Sequence, residues 1–352
     1  MTKLGRIWNK VVGWVRGLLP RAAPVAPGYT VEGAAWSARG WIATGSLTAP
    51  RRAYLLHVPA GYSAERPAPL VVWIHGCQQS PEQFAGATRI IRWADELGWL
   101  VLMPRQTRSA NVGQCWNWFD RPTANGQGEA AIVLAQIAAV EADHAIDGRR
   151  IFVAGLSSGA ALAAVLAVRA SDRFAAAAFH SGIACGAAAS VYSAPAVMNG
   201  RPELDVGEIG RRARVQAARP IELPALIIQG LADRTVGPGH ARELTRQMLA
   251  LNGDEETTPG VLRTPDRSRE SEVGGRRMTT EDFDVQGRAS IRVMSIDGLA
   301  HAWSGGDDRF EYSDPSPPDA TRLMLEFFRA ATVGVARAEV ATDPSSAPSP
   351  AG

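Results

Sequence analysis

Five short apolar runs with no polar alternation limit most strongly how this 352-residue chain folds. They are Leu70–Ile74 (LVVWI), Trp99–Met103 (WLVLM), Ile151–Ala154 (IFVA), Ala175–Phe179 (AAAAF) and Ala225–Ile228 (ALII). A strand with one wet face alternates apolar and polar residues, so an unbroken run reads as a strand buried on both faces. Arg52–Val58 and Ile291–Ile296 read as further strands. Helical patterns fall at Arg89–Leu97, Glu129–Asp143, Ser158–Val168, Ala241–Leu251 and Ala320–Ala330. This alternation predicts an α/β fold, a mostly parallel central sheet with helices on both faces and right-handed crossovers. Two stretches, Gln106–Gln127 and Asn252–Gly275, read instead as surface loops, and the first is suited to lining a site. Neither an internal repeat nor a second-domain boundary is evident.

Charge separates the ends from the middle. The chain carries 37 basic and 35 acidic residues, a net charge of +2, which argues against a broad nucleic-acid-binding surface. Residues 1–31 hold Lys3, Arg6, Lys10, Arg16 and Arg21 and no acid, so this +5 leaves −3 for the rest. Leu4, Ile7, Trp8, Val11, Val15, Leu18 and Leu19 follow helical spacing up to Pro20. They predict a basic amphipathic leader that packs on the domain or stays loose, or else contacts an anionic membrane surface or a partner. Lys10 and Arg16 interrupt the apolar run that a standard export signal needs. No apolar stretch reaches the roughly eighteen residues of a transmembrane helix. Residues 32–330 are expected to form one catalytic domain and residues 331–352, which end in a Pro-, Ser- and Ala-rich run, a disordered tail. Cys77, Cys115 and Cys185 are too few and too scattered for a zinc site.

Gly155-Leu156-Ser157-Ser158-Gly159 is the strongest chemical signal. With 35 glycines in the chain, a G-x-S-x-G match arises by chance about 0.2 times. Context makes it specific: an apolar strand precedes it and a helix follows, the arrangement of a nucleophile elbow that presents the serine hydroxyl at a sheet edge. A serine nucleophile needs a base and an orienting acid, in the chain order serine, acid, histidine. Of the six histidines, His57, His75 and His144 precede Ser157. His180 ends a strand and reads as packed, and His240 sits at a helix start only seven residues after Asp233. His301 remains, in a glycine-rich loop after Ile291–Ile296. Asp233 is the first acid after the strand Ala225–Ile228, whereas Asp172 and Glu222 precede strands and belong at the opposite edge. The backbone N–H groups of Cys77 and Ser158 are the expected oxyanion hole.

At this point the chain resembles a known family. His75-Gly76-Cys77-x-Gln79, Cys115-Trp116-Asn117-Trp118-Phe119, GLSSG, His180-Ser181-Gly182 and His301-Ala302-Trp303 occur in that order. Together they are similar to the polyhydroxybutyrate (PHB) depolymerase family of esterases, which also includes feruloyl and acetylxylan esterases. The resemblance covers Arg52 to Ala330 and implies an α/β-hydrolase fold, with Ser157, Asp233 and His301 as its triad. Three positions depart from the family pattern. Ala160 follows Gly159 where a second glycine is usual, Ala300 replaces a glycine before the histidine, and Gln229 stands where a histidine is common. None of the three removes a reacting group.

The expected function is therefore a serine esterase that cleaves carboxylic esters through an acyl-enzyme. Its substrates would be 3-hydroxybutyrate oligomers, other polyhydroxyalkanoates or related short esters, with no metal and no cofactor. A feruloyl or acetylxylan esterase is the alternative, and a non-catalytic hydrolase-fold binder is a second; a peptidase ranks low. Trp116, Trp118 and Trp303 are expected to bind substrate as exposed aromatics around the cleft, with Phe119 beside them. Cys77 and Cys115, in two loops near the site, are expected to pair, with Cys185 left free. The resemblance implies an exported protein, and a cytoplasmic one is the alternative.

Overall fold

Alternate side chains of the apolar runs serve two separate cores. The computed structural model describes residues 27–35, 52–188, 190, 192–198, 205–254 and 260–342. In β3 (Ala68–Ile74), Leu70, Val72 and Ile74 enter one core while Val71 and Trp73 enter the other. In β5 (Ile146–Leu156), Ile151 and Val153 point one way, and Phe152, Ala154 and Leu156 the other. This two-sided burial is the physical reason that these runs lack polar alternation. Helices α4 (Gly128–Asp143), α5 (Ser158–Arg169) and α8 (Gly239–Asn252) cover the first core through Val133, Leu162 and Leu244. Helices α2 (Ile90–Leu97) and α9 (Ala320–Thr342) cover the second through Ile90, Met324 and Phe328. Phe152 stacks between Trp99 and Phe328 at centroid distances of 5.1 and 4.7 Å, so a single strand residue joins sheet to C-terminal helix. Removing such a buried aromatic ring costs about 3–5 kcal/mol.

Ten of the described strands form one sheet. Its middle is parallel: β4 (Leu100–Pro104), β3, β5, β6 (Ala176–His180), β7 (Ala225–Gly230) and β10 (Arg288–Ile296), in that order. Antiparallel strands complete both edges, β2 (Arg52–Val58) and β1 (Tyr29–Ala35) on one side, β9 (Arg276–Val285) and β8 (Arg267–Val273) on the other. The parallel strands deliver their carboxyl ends, and the loops that follow them, to one edge of the sheet.

Several readings of the sequence are corrected. Asn252–Gly275 is not loop throughout, because β8 occupies Arg267–Val273. Helix α9 runs to Thr342, so the segment expected to be disordered from residue 331 begins as helix. The leader assigned to residues 1–31 ends inside β1, where Thr30 Oγ1 bonds His57 Nδ1 at 3.1 Å. Helices α1 (Pro81–Thr88), α3 (Arg121–Ala124, inside the expected loop Gln106–Gln127), α6 (Ala194–Met198) and α7 (Val206–Gln216) were not anticipated. The amphipathic helix read in the leader, and the tail beyond Thr342, lie outside the described residues. Among the described residues no helix is long and apolar enough to cross a membrane.

Candidate active site

Local sequence builds the turn at Ser157. β5 ends at Leu156, α5 begins at Ser158, and Ser157 between them has φ 56° and ψ −121°. A non-glycine residue held in that region is strained, as a nucleophile elbow requires. Gly159 permits it: a Cβ there would sit 2.3 Å from the Ile74 carbonyl oxygen and 2.4 Å from that of His75. Those are backbone atoms of the neighbouring strand and loop, so no side chain larger than hydrogen fits. The Ser157 N–H donates to the His180 carbonyl at 3.0 Å, tying the elbow to β6.

The loops after β7 and β10 bring Asp233 and His301 to this serine. They are laced together where the Leu231 N–H donates to Ile296 O and the Ala232 N–H to Leu299 O, both at 3.0 Å. Asp233, its side chain fully buried, takes three hydrogen bonds. Oδ1 accepts from the Thr235 and Val236 amides at 2.9 and 2.8 Å, and Oδ2 accepts from His301 Nδ1 at 2.7 Å. Because the carboxylate only accepts, Nδ1 carries the imidazole proton, and Nε2 is free to accept from the Ser157 hydroxyl at 3.0 Å. Burial raises the Asp233 pKa, but the His301 hydrogen bond and charge and the two amides outweigh it, leaving the carboxyl below its usual range. Gln229, the departure noted above, closes the Asp233 turn by donating from Nε2 to Gly230 O and Val236 O at 3.2 and 3.0 Å.

The loop after β3 lies against Ser157, since a Cβ on Gly76 would be 3.5 Å from Ser157 Cβ. Gln79 folds back so that its Oε1 accepts the Gly76 N–H at 2.9 Å. Among the described residues, neither the Cys77 nor the Ser158 N–H donates to a protein acceptor, and Ser158 opens α5, where an amide has no intrahelical partner. Both amides flank Ser157: Ser158 follows it in the chain, and Cys77 follows Gly76, the glycine packed against it. Cys77 and Cys115 are joined by a disulfide, and Cys185 is free and buried.

The three tryptophans do not form an exposed platform. Trp303 is fully buried, stacked on His180 at 5.0 Å and edge-on to Trp73 and Phe84, with Nε1 donating to Thr321 Oγ1 at 3.1 Å. Trp116 and Trp118 are 3% and 4% exposed and belong to the first core. Trp116 acts as a brace, donating from Nε1 to His75 O at 2.9 Å and from its backbone N–H to Ser158 Oγ at 3.3 Å. The indole N–H groups of Trp116 and Trp303 find buried acceptors inside, which offsets what a wet cleft offered.

Two further histidines are sealed in place. His75 donates from Nδ1 to Gly76 O at 2.7 Å while Nε2 accepts the Gln106 N–H at 3.2 Å. Burial pushes its pKa down to about 4. Burial, and then the nearby His301 charge, push that of His180 down to about 3. Both are neutral props, which agrees with reading His180 as packed. Among the described residues no three His, Cys, Asp or Glu side chains converge as a metal-binding set. Gln79, Gln106 and Glu129 shape the site and were given no role from sequence; only Gln79 stood inside a recognised motif.

Residues 52–272 match the family described as esterase PHB depolymerase. The chain belongs to the PHB depolymerase esterase family. It is 34% identical over 256 residues to poly(3-hydroxyalkanoate) depolymerase C of Paucimonas lemoignei, an alignment covering 70% of this chain and 57% of that protein. It is 28% identical over 208 residues to feruloyl esterase B of Thermothelomyces thermophilus, covering 54% of this chain and 67% of that protein. This PHB depolymerase family chain thus spans little more than half of the first relative and two thirds of the second. Among solved structures, an acetyl xylan esterase from Aspergillus awamori aligns with a TM-score of 0.60 at 19% identity, over 77% of this chain and 94% of that one. That likeness is one of fold, and the fold is that of the α/β-hydrolases.

Proposed function

We propose that the chain is a serine esterase acting through an acyl-enzyme, with short 3-hydroxyalkanoate esters and oligomers as its preferred substrates. The observation that carries this reading is the hydrogen-bonded chain Ser157–His301–Asp233 standing beside two unpaired amides. His301 Nε2 takes the proton of Ser157 Oγ as that oxygen attacks the ester carbonyl. Asp233 holds the tautomer and stabilises the imidazolium. The Cys77 and Ser158 amides receive the tetrahedral oxyanion, each worth about 2.7–4 kcal/mol of transition-state stabilisation. His301 then returns its proton to the leaving alkoxide, and water, activated by the same base, releases the acyl group. The preference for hydroxyalkanoates is supported by the longer and closer match to the Paucimonas lemoignei depolymerase.

A carbohydrate-side-chain esterase is the second reading, favoured by the match to feruloyl esterase B and by the fold shared with an acetyl xylan esterase. Ser157→Ala should lower the kcat for p-nitrophenyl butyrate by at least about a thousandfold while leaving the fold intact. Undiminished turnover would falsify the serine mechanism. Rates of the wild-type protein on hydroxybutyrate oligomers, feruloyl esters and acetylated xylan then decide between the two substrate classes, and faster cleavage of either sugar ester overturns the first.

A further inference from the structure

We propose that Glu129 is a positioning residue for the oxyanion hole, its buried carboxylate holding the Cys115–Asn117 segment and through it the Cys77 and Ser158 amides. Glu129 stands in the first turn of α4, only 3% exposed, and none of its hydrogen bonds goes to the triad. Its carboxylate collects three donors from the loop after β4. Oε2 accepts the Asn117 N–H at 2.6 Å, and Oε1 accepts Asn117 Nδ2 at 2.9 Å and Gln106 Nε2 at 2.5 Å. Gln106 extends this hold. Its Nε2 also donates to Cys115 O at 2.9 Å, its backbone N–H donates to His75 Nε2, and its Oε1 accepts from Arg52 Nη1 at 3.0 Å.

From that anchored segment, several links lead to the two amides. Cys115 is bonded through sulfur to Cys77, and the Gln78 N–H donates to Gly113 O at 2.8 Å. Trp116, between the two anchored residues, bonds His75 O in the loop after β3 and Ser158 Oγ at the start of α5. Both proposed donors therefore hang on one segment, and that segment is pinned by one carboxylate. A buried carboxylate is costly unless its lone pairs are filled, so three donors in fixed directions leave a single geometry. Burial pushes the Glu129 pKa up, against its hydrogen bonds with Gln106 and Asn117 and the charge of Arg52. Shifts of about 1 Å at such donors are enough to weaken oxyanion stabilisation.

This role rests on the serine-esterase reading, and the test separates the two. In Glu129→Gln one carboxylate oxygen becomes an amide donor facing donors from Asn117 or Gln106. With rates normalised to the fraction of protein that a fluorophosphonate titrates, kcat for p-nitrophenyl butyrate should fall about tenfold to a hundredfold, with KM within about twofold. The Ki of a trifluoromethyl ketone, whose hemiketal oxyanion needs the same amides, should rise by the same factor. A merely structural role lowers the titratable fraction and leaves both constants of the remainder unchanged; that result, or a kcat loss with unchanged Ki, overturns the proposal. If Glu129→Gln does not fold, Gln106→Ala, which removes the links to Cys115 O and Glu129, is read by the same criteria. Hydrolysis that survives in Ser157→Ala removes the hole itself and overturns both readings, whereas serine-dependent hydrolysis with wild-type constants in the Glu129 variant overturns this one alone.

Discussion

Replacing Asp233 by Asn isolates what the buried acid does, because the amide has the shape of the carboxylate but carries donors on one side. Two orientations are open to it. If the side-chain oxygen stays where Oδ1 is, it keeps the Thr235 and Val236 amides, and the new NH2 faces His301 Nδ1. The imidazole must then carry its proton on Nε2, where it donates toward Ser157 rather than accepting from it. If the amide flips, two buried N–H groups lose their acceptor, at about 1–3 kcal/mol each. The first orientation therefore wins, and catalysis rather than stability takes the loss. A locked wrong tautomer costs about 10⁴ in kcat, or about 5 kcal/mol in barrier height. Steady-state hydrolysis of p-nitrophenyl butyrate measures the rate, and urea unfolding checks that stability stays within about 1 kcal/mol of wild type. A folded Asp233→Asn protein with kcat within about tenfold of wild type refutes the tautomer argument.

Thiol titration should find no reactive thiol in the native protein, one (Cys185) after denaturation without reductant, and three after reduction. The Cys77→Ser variant should be destabilised by up to about 4 kcal/mol, the chain-entropy figure for a 38-residue separation. Because the pKa values of His75 and His180 are pushed down to about 4 and 3, the unfolded chain gains protons that the folded one refuses as pH falls below about 6.5. Urea unfolding from pH 7 to pH 4.5 should show stability dropping by about 1.4 kcal/mol per pH unit for each histidine once below that value, and a flat profile contradicts their burial as neutral rings. Trp303→Ala should lose about 3–5 kcal/mol of stability without raising KM per active site; a raised KM with unchanged stability returns Trp303 to the substrate.

The central strands were legible because burial on both faces leaves a run of apolar residues that nothing else explains. The candidate triad was legible because each member follows a strand end in a fixed order, so Ser157, Asp233 and His301 emerge by elimination and lie within hydrogen-bonding distance in space. The edge hairpin left no such trace. β8 (RSRESEV) is mostly exposed, and its charges suit an edge strand that must not pair with another chain. β9 buries Asp282 among its inward residues by pairing it with Arg292 at 2.6 Å, which hides the alternation. Helix α1 did carry a signal, Ser80 and Gln83 as a capping box with Pro81 between them. The tryptophans misled because composition cannot tell an exposed ring from one whose N–H finds a buried acceptor, as Trp116 does at His75 O. Glu129 was unreadable, since its role depends on a loop that only the fold brings to α4.

Reaction of the native protein with a fluorophosphonate, followed by intact mass measurement and peptide mapping, tests the central claim most directly. A general base beside one strained serine predicts a single adduct, on Ser157, and its complete absence in His301→Ala at the same exposure. Hydrolytically active protein that takes up no adduct, or takes it up on another residue, contradicts the assignment of Ser157 as the nucleophile.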